Sequence, residues 1–429
     1  MIRDREFVWL LFLSFVLIVS CSSELHQNDV EDQEVILPNN DSISQVSQNV
    51  ILNDQSTIVG AASIAEYLPL LIGKRVAIVG NQTSVIGATF LVDTLISLGI
   101  DVRILFAPEH GFRGNHDAGA KVKHSMDTKT GLKIFSLHGK TKKPSRESLT
   151  DVDVIVFDIQ DVGARFYTYI STLHYVMEAA AEYEKEVIVL DRPNPNAHYI
   201  DGPVLKSKFK SFVGMHPVPV VYGMTIGEYA KMINGEFWLK DSMQAHLRVI
   251  PLKNWTYDKE YILPIAPSPN LPNQLSIYLY PSLCFFEGTE VSVGRGTEYP
   301  FQVWGHPNAN CDLLDHFGFK PISIIGKSSR PKHENTFCKG VDFRGYSIDS
   351  IRKELGLNIG VLQEAYQCVS PRVNFFNRTS FFNLLAGNAT LIEDLKYKSE
   401  EEIIASWQEE LNVFKKKRIK YLLYDQNND

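Results

Sequence analysis

The sequence lacks the usual signs of nucleotide or nucleic-acid chemistry. No G-x-G-x-x-G follows its first apolar strand-like run, and no G-x-x-x-x-G-K-[ST] appears. That argues against a backbone cradle for phosphate. There is no long basic run, and the formal net charge is −7, which argues against nucleic acid as a partner. Histidine pairs at H-x-x-x-H or H-E-x-x-H spacing are missing, so the common helical zinc signature is absent. Cysteine is scarce: five in 429 residues, at spacings that match no zinc pattern. If Cys21 is set aside for the reason below, Cys284, Cys311, Cys338 and Cys368 remain, and four thiols allow three pairings or none. Charged residues make up 22% of the chain and hydrophobic ones 44%. These are ordinary globular values, and the length predicts two or three domains.

The apolar run Phe7–Val19, preceded by Arg3 and Arg5, is short for a bilayer span and the right size for a signal-peptide core. It ends in Ile18-Val19-Ser20-Cys21, which is similar to a bacterial lipobox. The expectation is a lipoprotein signal over 1–21, with Cys21 lipidated and anchoring the protein to a membrane without spanning it. Residues 22–57 are rich in Asn, Gln, Ser, Asp and Glu and read as a disordered tether.

Regular patterning starts near Ala61 with a helix-like "AASIAEYLPLLIG". Then "RVAIVG" (75–80), "VRILFA" (102–107), "VDVIVFD" (152–158) and "EVIVLD" (186–191) read as buried strands. Helical spacing in "TFLVDTLISLG" (89–99) and "TLHYVMEAAAEYEK" (172–185) alternates with them. That alternation predicts an α/β fold, a Rossmann-like doubly wound parallel sheet, over 58–300. A smaller α+β domain is expected over 301–429, closing with an amphipathic helix at 399–424. Thr225 and Glu228 have capping-box spacing, so Glu228 reads as a helix cap. The Pro- and Gly-dense stretch 264–301 reads as an ordered loop that completes a cleft.

Ligands of open α/β sheets bind outside the carboxyl ends of the strands. Four awkward polar loops follow four strands here: "NQTS" from Asn81, "PEHGFRG" with Glu109, His110 and Arg113, "IQDVGARFYTY" with Gln160, Asp161, Arg165, Tyr167 and Tyr169, and "RPNPN" with Arg192 and Asn194. Each alone could be a turn shaped by Gly and Pro. Four together predict a ligand edge.

Several longer stretches add a resemblance. "LFAPEHGFRG", "VFDIQDVGARFYTYISTLHYVMEAA", "VIVLDRPNPN", "DGPVL", "SFVGMHPVPVVYGMTIGE", "PSPNLP" and "EGTEVSVGRGT" resemble the exo-β-N-acetylmuramidase family of the NamZ type, from about Leu68 to Tyr424. The resemblance implies a Rossmann-like domain with a smaller C-terminal domain, a cleft between them, and release of MurNAc from the non-reducing ends of cell-wall glycan. It implies peptidoglycan fragments as partners and no cofactor. Two departures stand out. Glu290 stands where the family motif E-G-T-N has Asn, and His306 stands where G-A-P has Ala.

Glycoside hydrolysis ordinarily uses one carboxylic acid to protonate the leaving oxygen and a second group at the anomeric carbon. Glu109 is the leading candidate acid, because Phe106 and Phe112 flank it and desolvation favours the protonated form. The bland alternative is a loop carboxylate paired with Arg113. His110 reads as an orienting or sugar-binding group. Asp161, Asp158 and Glu287 are candidates for the second group, with Asp158 and Asp191 more suited to bracing loops. Arg165, Arg192 and Arg295 could each fork onto the lactyl carboxylate that distinguishes MurNAc from GlcNAc, or equally bridge loops. Tyr167 and Tyr169 could offer ring faces to a sugar if "RFYTYI" is extended, while Phe166 reads as core. Asn81, Gln160, Asn194 and Asn270 complete the expected sugar-binding set. Two other readings compete: a glycan-binding lipoprotein without catalysis, and a metallohydrolase built on His110, His116, Asp117, His124 and Asp127. The location expected is the bacterial envelope, lipid-anchored, facing the periplasm or the cell surface.

Overall fold

A computed structural model describes residues 56–109, 111–113, 125–311, 314, 317–354, 356–370 and 373–425. The signal segment, Cys21, most of the tether, His110, His116, Asp117 and His124 lie outside the described residues.

The four apolar runs read as strands form strands, and five further strands join them. In chain order these are β1 (Arg75–Gly80), the hairpin β2 (Val85–Ile86) and β3 (Thr89–Phe90), β4 (Asp101–Ala107), β5 (Ser125–Met126), β6 (Lys133–Ser136), β7 (Val154–Asp158), β8 (Glu186–Leu190) and β9 (His246–Ile250). Seven of them make one sheet in the order β5-β6-β4-β1-β7-β8-β9. All neighbours run parallel except β5 against β6. The chain therefore starts in the middle at β1, builds outward through β4 and β6, and returns to build the other half from β7. The winding reverses between β1 and β7, and a ligand crevice forms at such a reversal.

Alternation within the strands divides the interior in two. Ala77, Val79, Ile155, Phe157, Val187 and Val189 pack on one face, with the helices Tyr169–Glu182 and Ile226–Gly235. Val76, Ile78, Val154, Val156, Ile188 and Leu190 pack on the other, with Ile64–Leu71 and Leu91–Ser97. A strand buried on both faces has no polar side, which is why these runs read as continuously apolar.

The later residues form a second, antiparallel sheet, β10 (Val303–His306), β11 (Gly318–Phe319) and β12 (Cys338–Asp342), in the order β10-β12-β11. Helices surround it, among them Gly360–Val369 and Thr379–Ala386. The first core runs on into this region through Phe285, Phe286, Trp304, Phe375 and Phe382. Cys311 and Cys368 are bonded, tying the segment after β10 to the helix Gly360–Val369, while Cys284 and Cys338 are free and buried.

Two expectations need correction. The stretch 264–301 is not loop throughout: Gln274–Leu283 is an α-helix, with a 3-10 turn at Cys284–Gly288. Asn273 caps it by accepting from Ser276 N–H, and Pro281 falls near its end, so the proline density concealed a helix start that Asn supplies. The final helix is also broken. Glu400–Ser406 and Gln408–Arg418 are separate, and Trp407 between them has left the helical region. The indole of Trp407 is buried and donates to Asp201, so tertiary anchoring interrupts the periodic pattern. The Thr225–Glu228 capping box forms as read.

Candidate active site

The loops after β1 and β7 meet at the winding reversal. Asn81 accepts from Thr83 N–H and hydroxyl, and Thr83 Oγ1 accepts from Gln160 N–H at 3.0 Å. Beyond β7 the chain passes Gly163, whose φ of 76° and contact with Asn194 leave no room for a Cβ. It then enters the turn that presents Tyr167 and Tyr169.

A small, solvent-open recess lies there. Glu109, Tyr167, Tyr169, Asn270 and Arg295 line it, together with Phe166, Thr168, Ser268, Leu271, Tyr280 and Phe301. Five of the expected site residues thus converge from four separated segments. Glu109 arrives from the end of β4, and its Oε2 lies 3.9 Å from His138 Nδ1. Tyr167 and Tyr169 meet edge to face at 4.8 Å, and their hydroxyls donate to Pro267 O at 2.8 and 3.4 Å. The stretch is not extended, as their alternation suggested. A turn followed by the first residue of the helix Tyr169–Glu182 brings the rings together instead. Asn270 holds the opposite rim, donating to Lys327 O at 2.8 Å.

Arg295 enters from the wall. Its Nε donates to Glu287 Oε1 at 2.8 Å, and its guanidinium carbon sits 5.0 Å from the centre of the Phe301 ring. Burial works against ionisation of Glu287, but Arg295 and Lys332 outweigh it and hold its carboxyl below the usual range. Glu287 is therefore a charged orienting partner. Phe301 has φ 56°, a strained conformation for a bulky residue and one found most often at functional sites.

The remaining expected residues serve the loops themselves. Arg192 forks onto Asp158 at 2.6 and 2.9 Å beneath the sheet edge. Arg165 donates to the carbonyls of Pro203, Val218 and Leu385, the last near the end of the helix Thr379–Ala386. It bolts that helix to the sheet domain, and neither arginine lines the recess. Arg113 forks onto Asp127 at 2.6 and 2.8 Å, so its partner is Asp127, a member of the competing metal set. Gln160 donates to Pro193 O, and Asn194 donates to Met224 O. Asp161 is buried behind the tyrosines, accepting from Gly163 N–H at 2.7 Å and from the Tyr222 hydroxyl. Asp191 braces its loop as expected, accepting from the N–H groups of Arg192 and Gly227. Among the wall residues absent from the expected set, Tyr280 belongs to the unforeseen helix, whereas Ser268 lies in the quoted "PSPNLP" and was within reach.

Buried titratable groups set the pH response of the fold. Burial raises Asp161 to about 7, Asp191 to about 6 and Glu228 to about 7. These acids hold protons on folding, so their stabilisation is full below the unfolded values near 4 and is lost as pH rises through 6–7. Burial lowers His174 and His198 to about 4 and moves His216 in the same direction. Those histidines stay neutral when folded, and their stabilisation is lost as pH falls below about 6.5. The two sets act in opposite directions between about pH 4 and 7. Asp161→Asn should remove about one proton's worth of the loss of stability that occurs as pH rises from about 4 to 7, and leave the dependence above about pH 7.5 unchanged. Parallel slopes for mutant and wild type would show that Asp161 does not bind a proton on folding.

The family model for the N-terminal part of exo-β-N-acetylmuramidase NamZ matches residues 76–275, and the model for its C-terminal part matches 278–424. The two meet at the start of the helix Gln274–Leu283, upstream of the 300/301 boundary expected from sequence. A peptidoglycan β-N-acetylmuramidase NamZ of Bacillus subtilis is 38% identical over 377 residues, covering 84% of this chain and 89% of that protein. A DUF1343 family crystal structure from Bacteroides fragilis aligns with TM-score 0.80 at 45% identity, covering 87% of this chain and all of that one. A second from the same organism aligns with TM-score 0.72 at 31% identity, covering 86% and all.

Proposed function

The chain belongs to the exo-β-N-acetylmuramidase NamZ family, and on that premise we propose that it is an exo-acting glycoside hydrolase releasing terminal MurNAc from peptidoglycan-derived glycans. One observation carries the reading beyond membership: a carboxyl, Glu109, and a guanidinium, Arg295, share an aromatic-walled recess at the winding reversal of the sheet. Proton donation serves the cleavage, and a guanidinium suits the lactyl carboxylate that marks MurNAc. Glu109 gives its proton to the aglycone oxygen as the glycosidic bond breaks, and water completes the reaction, its hydroxyl bonding to the anomeric carbon and its remaining proton restoring Glu109. Arg295, aligned by Glu287, reads the lactyl carboxylate. The rings of Tyr167 and Tyr169 pack against the apolar face of the sugar, and Asn270 receives its polar substituents.

The test is incubation with MurNAc-GlcNAc and with a chromogenic MurNAc glycoside. Free MurNAc should appear in both, with and without chelator. Tight binding without turnover would leave a glycan-binding protein, and loss of turnover in chelator would return the metallohydrolase reading.

The site of action proposed is the cell envelope, with lipid on Cys21. The apolar run ending at Ser20-Cys21 supports it, and so does the Cys311–Cys368 bond, since such bonds persist in oxidising compartments. Cys21→Ala should move the protein from the membrane to the soluble fraction. An unchanged distribution would exclude lipid at that residue.

A further inference from the structure

Glu290 and His306, the two departures from the family's motifs, come together in space. His333, from the loop before β12, joins them, and one donor atom from each of the three lies within 4.8 Å of the others. The cluster stands apart from the recess, for none of the three lines it. His306 ends β10 and is buried, while Glu290 and His333 are half-buried.

His333 and Glu290 are already held from behind. His333 Nε2 lies 2.7 Å from the carbonyl oxygen of Glu290. A carbonyl accepts only, so Nε2 carries the proton and Nδ1 keeps its lone pair. A backbone carbonyl behind a ring nitrogen is the usual outer support of a metal-binding histidine. Glu290 accepts from the Asn377 amide, which leaves its second oxygen. The ring of His306 stands at right angles to that of His333 with centroids 4.7 Å apart. Its Nδ1 accepts from Asn308 N–H at 3.0 Å, which puts the ring proton on Nε2.

We propose that Glu290, His306 and His333 form a binding site for a borderline divalent cation, with zinc as the representative ion. Two imidazoles and one carboxylate suit such an ion better than magnesium or calcium, which prefer all-oxygen sets. A tetrahedral ion wants donors roughly 3.4 Å apart, as bonds of about 2.1 Å require, so the side chains close inward on binding. If the ion takes His306 Nε2, the ring proton shifts to Nδ1 and the Asn308 bond is given up. Protons balance, and one hydrogen bond is the cost. The fourth position goes to water.

The site would be structural. It would clamp the end of β10 to the segment after Glu287 and to the loop before β12, just ahead of the Cys311–Cys368 bond. It belongs to this chain's own residues, because Asn at 290 and Ala at 306 would leave His333 alone.

The experiment uses chelator-treated, desalted full-length protein, titrated calorimetrically with zinc and separately with magnesium, and melted with each. Zinc should bind one per chain and raise the melting temperature, and magnesium should do neither. Glu290→Asn and His306→Ala each remove one donor, and their melting temperatures without zinc check that the fold survives. Each should weaken zinc binding at least about ten-fold and abolish the thermal shift, and His333→Gln should do the same. No saturable zinc binding at sub-millimolar concentration overturns the proposal. So does zinc binding undiminished in His306→Ala, which would place the ion elsewhere on the surface. Turnover of MurNAc glycosides is expected to be indifferent to zinc, which separates a failure here from a failure of the hydrolase reading.

Discussion

Glu109→Gln should lower kcat on a MurNAc-GlcNAc substrate by about 10²–10⁴-fold, the usual contribution of a general acid. The substitution keeps the shape of the side chain and removes the proton. Glu109 lies at the carboxyl end of β4 on the wall of the recess, with His138 behind it. Among the described wall residues it is the one carboxyl group, since Asp161 lies behind the tyrosines and Glu287 is paired with Arg295. A glycoside with a very good leaving group, such as dinitrophenol, needs little protonation. On that substrate the mutant should recover most of the wild-type rate, and the ratio of the two losses is the measurement. Equal losses on both substrates would assign Glu109 to the anomeric carbon rather than the leaving oxygen. Near-normal rates on both would reduce it to a loop carboxylate.

That prediction was available from sequence because its physical basis is local. A short apolar run gives a strand, Pro108 and Gly111 end it, and the edge where it ends is fixed by the parallel winding. β1, β4, β7 and β8 were legible for the same reason: burial on both faces keeps the middle of each run apolar and leaves charged residues such as Arg75, Asp101, Arg103, Asp158 and Glu186 toward the ends. The helix Gln274–Leu283 was not legible. Four prolines, Pro264, Pro267, Pro269 and Pro272, precede it and Pro281 sits inside it, and the cap that starts it is a single asparagine.

The arginines show the harder limit. Arg165 follows V-G-A and Arg295 follows V-G, and nothing in either stretch says which side of the wall the side chain will take. Arg165 turns to three carbonyls, one of them 220 residues away in the chain. Arg295 turns to the recess because Glu287, eight residues before it, holds its Nε. The separation is a product of long-range packing. The same holds for Glu290, His306 and His333, whose sequence spacing matches no metal motif.

Specificity gives the second large effect. Arg295→Met should cost about 2–5 kcal/mol in kcat/KM on a MurNAc glycoside, the range for losing one partner of a buried charged pair. That is roughly 30- to several-thousand-fold. The matched GlcNAc glycoside has no lactyl carboxylate, so its already low rate should change little, and the ratio of the two substrates should collapse toward one. Methionine keeps the length and apolar contact with Phe301 while removing the charge. It also strands Glu287, whose burial is offset by Arg295 and Lys332, and this alone could loosen the wall. The double variant Arg295→Met, Glu287→Gln removes that complication and should show the same collapse with a recovered melting temperature. Arg295→Lys keeps the charge without the fork and should fall between. A decrease of equal size on both glycosides, in single and double variants alike, would mean that Arg295 holds the wall and that the lactyl group is read elsewhere.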